Sequence, residues 1–368
     1  MPYNNGSFIK AIFFFVFFIC VCVGLTLLKV AGPVIKPVVV SVLLSFVFLP
    51  VIKKLNAIHI PWWICIVIVY VLFLAVCFGV TNILISGITT IINSLPRYEE
   101  KLRHIYNLLV RDLNIPFDND TSISFNIIDM FNVKDLLGKY ALSVTNVVYS
   151  FSKSFMLVIL FSVFLLAEMH FTREKIKTAF SGSSNERVNN ALHNIINDVT
   201  RYISIKFVIS LATGVLVWLA SVFVQMDFSL VWGFLTFIMN FIPTFGSIIS
   251  CALTILFSII SFYPLPFPII FISAVSIGTN FILGNIIEPR IDGKNLNLSP
   301  FVILVSLTIW GWIWGFLGML IAVPVMVIIK IICENISYLK PIAILLGNKP
   351  AVSPRENTKI ESESIKQK

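Results

Sequence analysis

Charge is scarce in this chain. Only 12% of its 368 residues are Asp, Glu, Lys or Arg, against about 25% in an ordinary soluble domain. Hydrophobic residues make up 58%. So apolar a chain could not cover its own surface in water. That excludes an ordinary soluble enzyme, a nucleic-acid-binding domain and a disordered protein. It leaves an all-α, polytopic membrane protein.

Metal-binding and catalytic residue types are also thin. There are four histidines, and all fall outside the apolar runs, so a histidine metal site is not expected. The six cysteines have no zinc-ligand spacing and form no secreted disulfide framework. They read as small buried or lipid-facing side chains. No Walker A lysine loop, HExxH, GxSxG or dinucleotide-binding glycine fingerprint is present. The sequence therefore points to no enzyme, no cofactor and no metal, and ATP-driven transport by this chain alone is not expected.

What the chain has is long apolar runs. A span needs about 20 apolar residues. Candidates are 11–28, 33–52, 61–92, about 142–168, about 203–225, the long run 228–262, about 267–287 and about 300–335. That makes about eight spans. Pro61-Trp62-Trp63 reads as an aromatic anchor at the water interface. Six segments are expected: 1–92, the first three spans; 93–140, a helical extramembrane insert; 141–168, the fourth span; 169–202, cytoplasmic amphipathic helices; 203–337, a core with Pro/Gly-broken helices; and 338–368, a basic cytoplasmic tail. Within the insert, Pro96–Leu113 and Val133–Ala141 read as helices. The distribution of Lys and Arg favours both termini in the cytoplasm.

Two polar interruptions carry the chemistry. The first is Asn285-Ile286-Ile287-Glu288-Pro289-Arg290, with Asp292 close behind. Pro289 disfavours a helical Glu288 and is expected to end the helix there. Ionisable residues near membrane depth are costly and tend to be functional. The functional reading is a polar gate in which Glu288 and Arg290 pair; the structural one is an interfacial cap. The second interruption is Asn240-Phe241-Ile242-Pro243-Thr244-Phe245-Gly246. Proline removes a donor and clashes with the preceding turn. Residues 228–262 are therefore either one kinked helix or two half-length helices.

Glu168, Lys206 and Asp227 are secondary candidates for an ion path, with Lys153 inside the fourth span. Snorkelling to the interface is the plainer reading of Lys153 and Lys206. Gly311, Gly315 and Gly318 allow close helix approach.

Three blocks over about 195–335 resemble the autoinducer-2 exporter-like permease family of bacterial membrane proteins. They are Asn240-Phe241-Ile242-Pro243 with Gly246; Asn285 to Gly293 followed by Leu298-Ser299-Pro300; and Trp310-Gly311, Trp314-Gly315, Gly318-Met319 and Ala322-Val323-Pro324. Thr244 departs from the aromatic of many relatives, and Glu168 from a common Asp. The resemblance implies an inner-membrane transporter of about eight spans, working as a homo-oligomer. For some members it implies export of a small hydrophilic signal molecule, for others sodium/proton exchange.

Three functions compete. The leading one is a secondary permease that exports a small polar solute. Glu288, Arg290, Asn240 and Asn285 would line its path, and Pro243 and Pro289 would break its helices. The second is a cation/proton antiporter moving Na+ or H+, with Glu288, Asp292 or Asp227 titrating. The third is a membrane scaffold or regulatory subunit without flux. The partners expected are the lipid bilayer, the solute or ion, and further copies of the chain, with no nucleic acid.

Overall fold

The structure is a computed structural model and describes residues 5–112, 154–169, 175, 183–292 and 298–348. Helices make up almost all of it, and the described residues contain one isolated β-bridge, Leu298 to Gly347. Among the described residues, six stretches are long and apolar enough to cross a bilayer: Gly32–Ala57, Trp62–Gly87, Asn194–Phe223, Phe245–Phe262, Pro266–Ile291 and Phe316–Asn335. The fold is thus a polytopic helical membrane protein.

Several helices run through boundaries expected from the sequence. Helices α1 (Asn5–Val30) and α2 (Gly32–Ala57) are separated by Ala31 alone. Backbone bonds carry across it, with Ala31 N–H donating to Leu27 O at 2.8 Å and Ile35 N–H to Ala31 O at 3.0 Å. The two helices do not pack along each other as the arms of a hairpin do, so the chain does not turn back here. Pro33, which has no N–H to give, accounts for the interruption.

Helix α3 (Trp62–Asp112) is a single element of 51 residues. The expected span end at 92 lies inside it, and so does Pro96. The expected helix at 133–141, Lys153 and the start of the fourth span lie outside the described residues. Helix α4 (Ser154–Met169) packs on the start of α3. Trp62 Nε1 donates to Leu166 O at 3.0 Å, and the Tyr70 hydroxyl donates to Ser162 Oγ. Helix α5 (Ser183–Phe223) joins the expected amphipathic helix and the fifth span without a break at 202.

The chain divides into two compact units. The terminal unit holds residues 1–46, 168–203 and 292–368; the central unit holds 47–167 and 204–291. The central unit is built on a hairpin. Helix α6 (Ser229–Met239) stops at Asn240, and α7 (Phe245–Phe262) follows. Both ends of the hairpin are tied to α3. The Tyr98 hydroxyl donates to Asp227 Oδ2 just before α6, and Lys101 Nζ donates to Ser261 O at 2.8 Å, near the end of α7. Two attachments three residues apart on one helix place the two feet of the hairpin at the same end. Residues 228–262 therefore form two helices that go in and come back. Helix α8 (Pro266–Thr279) follows, then a π-helical stretch Asn280–Ile287, then the short α9 (Glu288–Asp292).

The terminal unit has a hairpin of its own, where the sequence reads one apolar segment. Helix α10 (Pro300–Trp314) and α11 (Phe316–Asn335) meet at Gly315, whose φ of +67° suits glycine. Ile313, Trp314 and Ile321 form its core, with Leu28 of α1 and Ile35 of α2 packed against it. Trp314 Nε1 donates to Leu28 O at 3.0 Å, and the Lys29 ammonium sits 4.0 Å from the Trp312 ring centroid.

The two hairpins match in sequence position. Ile242 and Trp314, Gly246 and Gly318, Ser250 and Ala322, and Ser258 and Lys330 each stand 72 positions apart, and all eight residues are buried. In both, the glycine lies against the carbonyl end of the shorter arm. A Cβ on Gly246 would fall 1.7 Å from Met239 O, and one on Gly318 would fall 1.8 Å from Trp310 O.

Candidate functional site

The site grows from the interruption ahead of Glu288. A regular α-turn would drive the Pro289 ring into the carbonyl four residues back, that of Asn285. The chain avoids this by widening. Residues Asn280–Ile287 are π-helical, and Glu288 N–H donates to Leu283 O, five residues back. The following α-helix then opens at Glu288, with Pro289 in its first turn, where a missing N–H costs nothing. This corrects the expectation that the helix ends at Glu288: it runs on to Asp292. Wide turns of this kind are frequent at functional sites.

Glu288 does not pair with Arg290 as expected. Residues two apart on a helix do not face each other, and Arg290 is exposed. The partner is Lys206 on α5. Its Nζ donates to Glu288 Oε1 at 2.7 Å and to Oε2 at 2.9 Å. The two side chains are 6% and 16% exposed. Nearly all of both charges is therefore out of water, where attraction is strong and separation costly. The pair also fixes α5 to the point where the π-helical stretch gives way to α9.

One turn further along α5 stands Ser210, which reaches the hairpin. Asn240 Nδ2 donates to Ser210 Oγ at 3.2 Å, and Ser247 Oγ donates to Asn240 Oδ1 at 2.9 Å. Asn240 is 2% exposed. Its amide thus braces both sides of the turn that Pro243 opens, and ties that turn to α5. Gly246 closes the turn by its contact with Met239 O. Thr244, between them, takes φ +64° and ψ −59°, a conformation strained for a β-branched residue. Lys206 and Ser210 share a helix face at four-residue spacing. The ion pair and the hairpin turn thus form one polar track on α5.

The other sequence candidates are placed elsewhere. Asn285 is exposed on the π-helical stretch. Asp292 ends α9. Asp227 accepts from Tyr98, whose phenol pKa is raised by burial first and then by the hydrogen bond to Asp227 and its charge. Glu168 pairs with Lys175 at the surface. A Cβ on Gly311 would fall 3.0 Å from Met319 Cγ. Among the described residues there is no group of three or more His, Cys, Asp or Glu placed to hold a metal ion.

Two features went unread in the sequence. Ser210 carries no signal of its own as one serine in an apolar helix. Lys330 stands near the end of an apolar run with no polar motif around it, and it is 7% exposed inside α11.

The model of the AI-2E transporter family matches residues 11–338. A putative transport protein of Borreliella burgdorferi is 30% identical over 94% of this chain and 92% of its own. The putative transport protein YhhT of Escherichia coli is 28% identical over 84% and 88%. The AI-2 transport protein TqsA of Escherichia coli is 26% identical over 87% and 91%.

Proposed function

The chain belongs to the AI-2E family of transporters, and from that premise we propose that it is a secondary permease of the bacterial inner membrane exporting a small hydrophilic solute. The buried Lys206–Glu288 pair carries this reading. Two opposite charges at a change of helix pitch make a gate with a defined closed state. Opening it without a substitute would strand both charges in a poor solvent. A solute rich in hydroxyls supplies that substitute, accepting from the ammonium and donating to the carboxylate. An apolar molecule does not. The name of TqsA makes autoinducer-2 the first solute to try. Both termini lie in the cytoplasm in this reading, and the working form is a homo-oligomer.

The test is flux through liposomes holding the purified chain. Glu288→Gln keeps the shape of the side chain and removes its charge. Export is expected to be lost while oligomer size is kept, with a lowered melting temperature because Lys206 loses its counter-charge. Unchanged flux would remove the gate from Glu288.

The same pair favours a second reading, cation/proton exchange. A sodium ion arriving at the Glu288 carboxylate takes the place of the Lys206 ammonium as its counter-charge. A sodium gradient across liposomes with a trapped pH dye separates the two. Proton flux that follows sodium and disappears in Glu288→Gln makes the chain an exchanger; none leaves solute export.

A further inference from the structure

The polar track on α5 continues past the hairpin turn, to a side chain that neither the sequence motifs nor the family match brings out. Asn280 opens the π-helical stretch, just beyond the end of α8. Its Nδ2 donates to Ser276 O at 2.9 Å and to Cys251 Sγ, on α7, at 3.0 Å. The Cys251 thiol in turn donates to Ser276 O at 3.4 Å. The amide is therefore held one way round: turned over, it would set Oδ1 against Ser276 O, acceptor against acceptor. In this orientation Oδ1 is buried and has no hydrogen-bond partner among the described residues. Cys251 stands one turn beyond Ser247, which bonds to Asn240. The track thus runs from Lys206 through Ser210, Asn240 and the start of α7 to Asn280. A second route joins the same two ends, because Asn280, Gly284 and Glu288 recur every four residues along one side of their run. A Cβ on Gly284 would have nothing within 4 Å, so that side is open between its polar ends.

We propose that Asn280 Oδ1 is a ligand-binding acceptor that takes a hydrogen bond from a hydroxyl of a small polyhydroxylated molecule, and that it selects such molecules over less hydroxylated ones. A buried acceptor without a donor is costly, and a hydroxyl arriving there removes the cost. An amide oxygen has two lone pairs and no proton, so the ligand has to be the donor. The groups beside it cannot serve: the Nδ2 of the same amide and the Cys251 thiol both point their protons at other atoms. Lipid chains offer no donor either. A ligand that lacks the hydroxyl leaves Oδ1 unpaired, and this is the contact by which a binding site discriminates most sharply. That the bound molecule is the exported one rests on the permease reading of the Lys206–Glu288 pair. The binding site itself does not.

The test uses the full chain in liposomes, with Cys251 as the reporter because it touches the Asn280 amide. A charged methanethiosulfonate reagent reaches a thiol only through water, forming a mixed disulfide and releasing methanesulfinate. Peptide mass spectrometry reads the modified fraction at Cys251 without any change to the other cysteines. Modification is expected to proceed and to be slowed by erythritol. The butanediol that keeps only the two end hydroxyls has the same four-carbon chain, and half-protection by it is expected to need about tenfold more. Asn280→Leu is expected to abolish that preference. A Cys251 that the reagent never reaches overturns the proposal, as do equal protection by the two alcohols in the wild type and a preference kept in a folded Asn280→Leu. Protection by sodium chloride and none by erythritol overturns it too and makes the ligand a cation. Should Asn280→Leu fail to fold, Gly284→Leu replaces it, its side chain entering open space. Protection by erythritol weakened about tenfold supports the site, and unchanged protection removes it. Flux indifferent to Glu288→Gln would end the gate reading and leave the pattern at Cys251 as it stands.

Discussion

Lys206 grips both carboxylate oxygens of Glu288 from 82 positions earlier in the chain. The contact joins the middle of α5 to the point where a π-helix gives way to an α-helix. Removing one member of a buried pair strands the other and costs about 3–5 kcal/mol. Lys206→Met is therefore expected to lower the melting temperature clearly. Lys206→Met with Glu288→Leu is expected to recover most of that loss and none of the flux. Thermal melts in detergent and liposome flux on the same preparations check both halves. A double variant as unstable as the single would mean the site cannot be filled by apolar side chains.

Each hairpin depends on one glycine at its closest approach. Gly246→Ala and Gly318→Ala place a methyl within 2 Å of a backbone carbonyl. Backbone does not give as a side chain does, so each is expected to cost more than the usual 1–3 kcal/mol of overpacking, or about 3 kcal/mol and above. Gly278 on α8 has nothing within 4 Å of an added Cβ. Gly278→Ala is expected to be neutral or to gain about 0.5–1 kcal/mol. Melting curves for the three variants give the ranking, and equal losses would refute the close-approach argument.

Thr244 holds a backbone conformation that a β-branched residue resists, at φ +64°. Thr244→Gly is expected to stabilise the chain by about 1 kcal/mol, because the strain disappears without loss of a cap bond. Thermal unfolding measures this directly. A destabilised variant would show that the threonine side chain holds the turn.

The Tyr98–Asp227 bond is expected to weaken with alkali and not with mild acid on the tyrosine side. The Tyr98 pKa lies above its ordinary value of 10.0, raised by burial first and then by Asp227. The neutral, donating phenol is the bound form. Its contribution is complete below about pH 10 and is lost as pH climbs toward the raised value. Tyr98→Phe is expected to cost about 1.5 kcal/mol at neutral pH, the low end for a bond to a charged group. It should also remove this part of the alkaline loss. Stability against pH for the two proteins is the measurement.

The helical class was legible because bilayer thickness sets a length that apolar runs either reach or miss. The turn at Asn240–Gly246 was legible as an interruption, since proline and glycine act through local sterics. Whether it kinked or reversed the chain depended on Tyr98 and Lys101, far away in sequence. Glu288 stood out as a costly charge beside a long apolar run. Its partner did not, because pairing is a matter of distance in space and Arg290 was merely nearer in sequence. Pro289 misled for a related reason. The rule that proline ends a helix assumes a regular α-turn, and the chain escapes it by widening the turn instead. The burial of Lys330 was not legible, because a charge near the end of an apolar run looks the same from sequence whether it reaches water or turns inward.

Helix α3 has no interruption between the bilayer and the residues that hold the hairpin. At 1.5 Å per residue its 51 residues make a rod of about 76 Å, more than twice the thickness of the hydrocarbon layer. A rod of that kind is a lever. A tilt of about 10° at its membrane end sweeps its far end through roughly 13 Å, and Tyr98 and Lys101 ride on it partway along. Small rearrangements among the spans are geared up into displacement of the hairpin feet, and a load on the far end of the rod is geared down into force on the same two contacts.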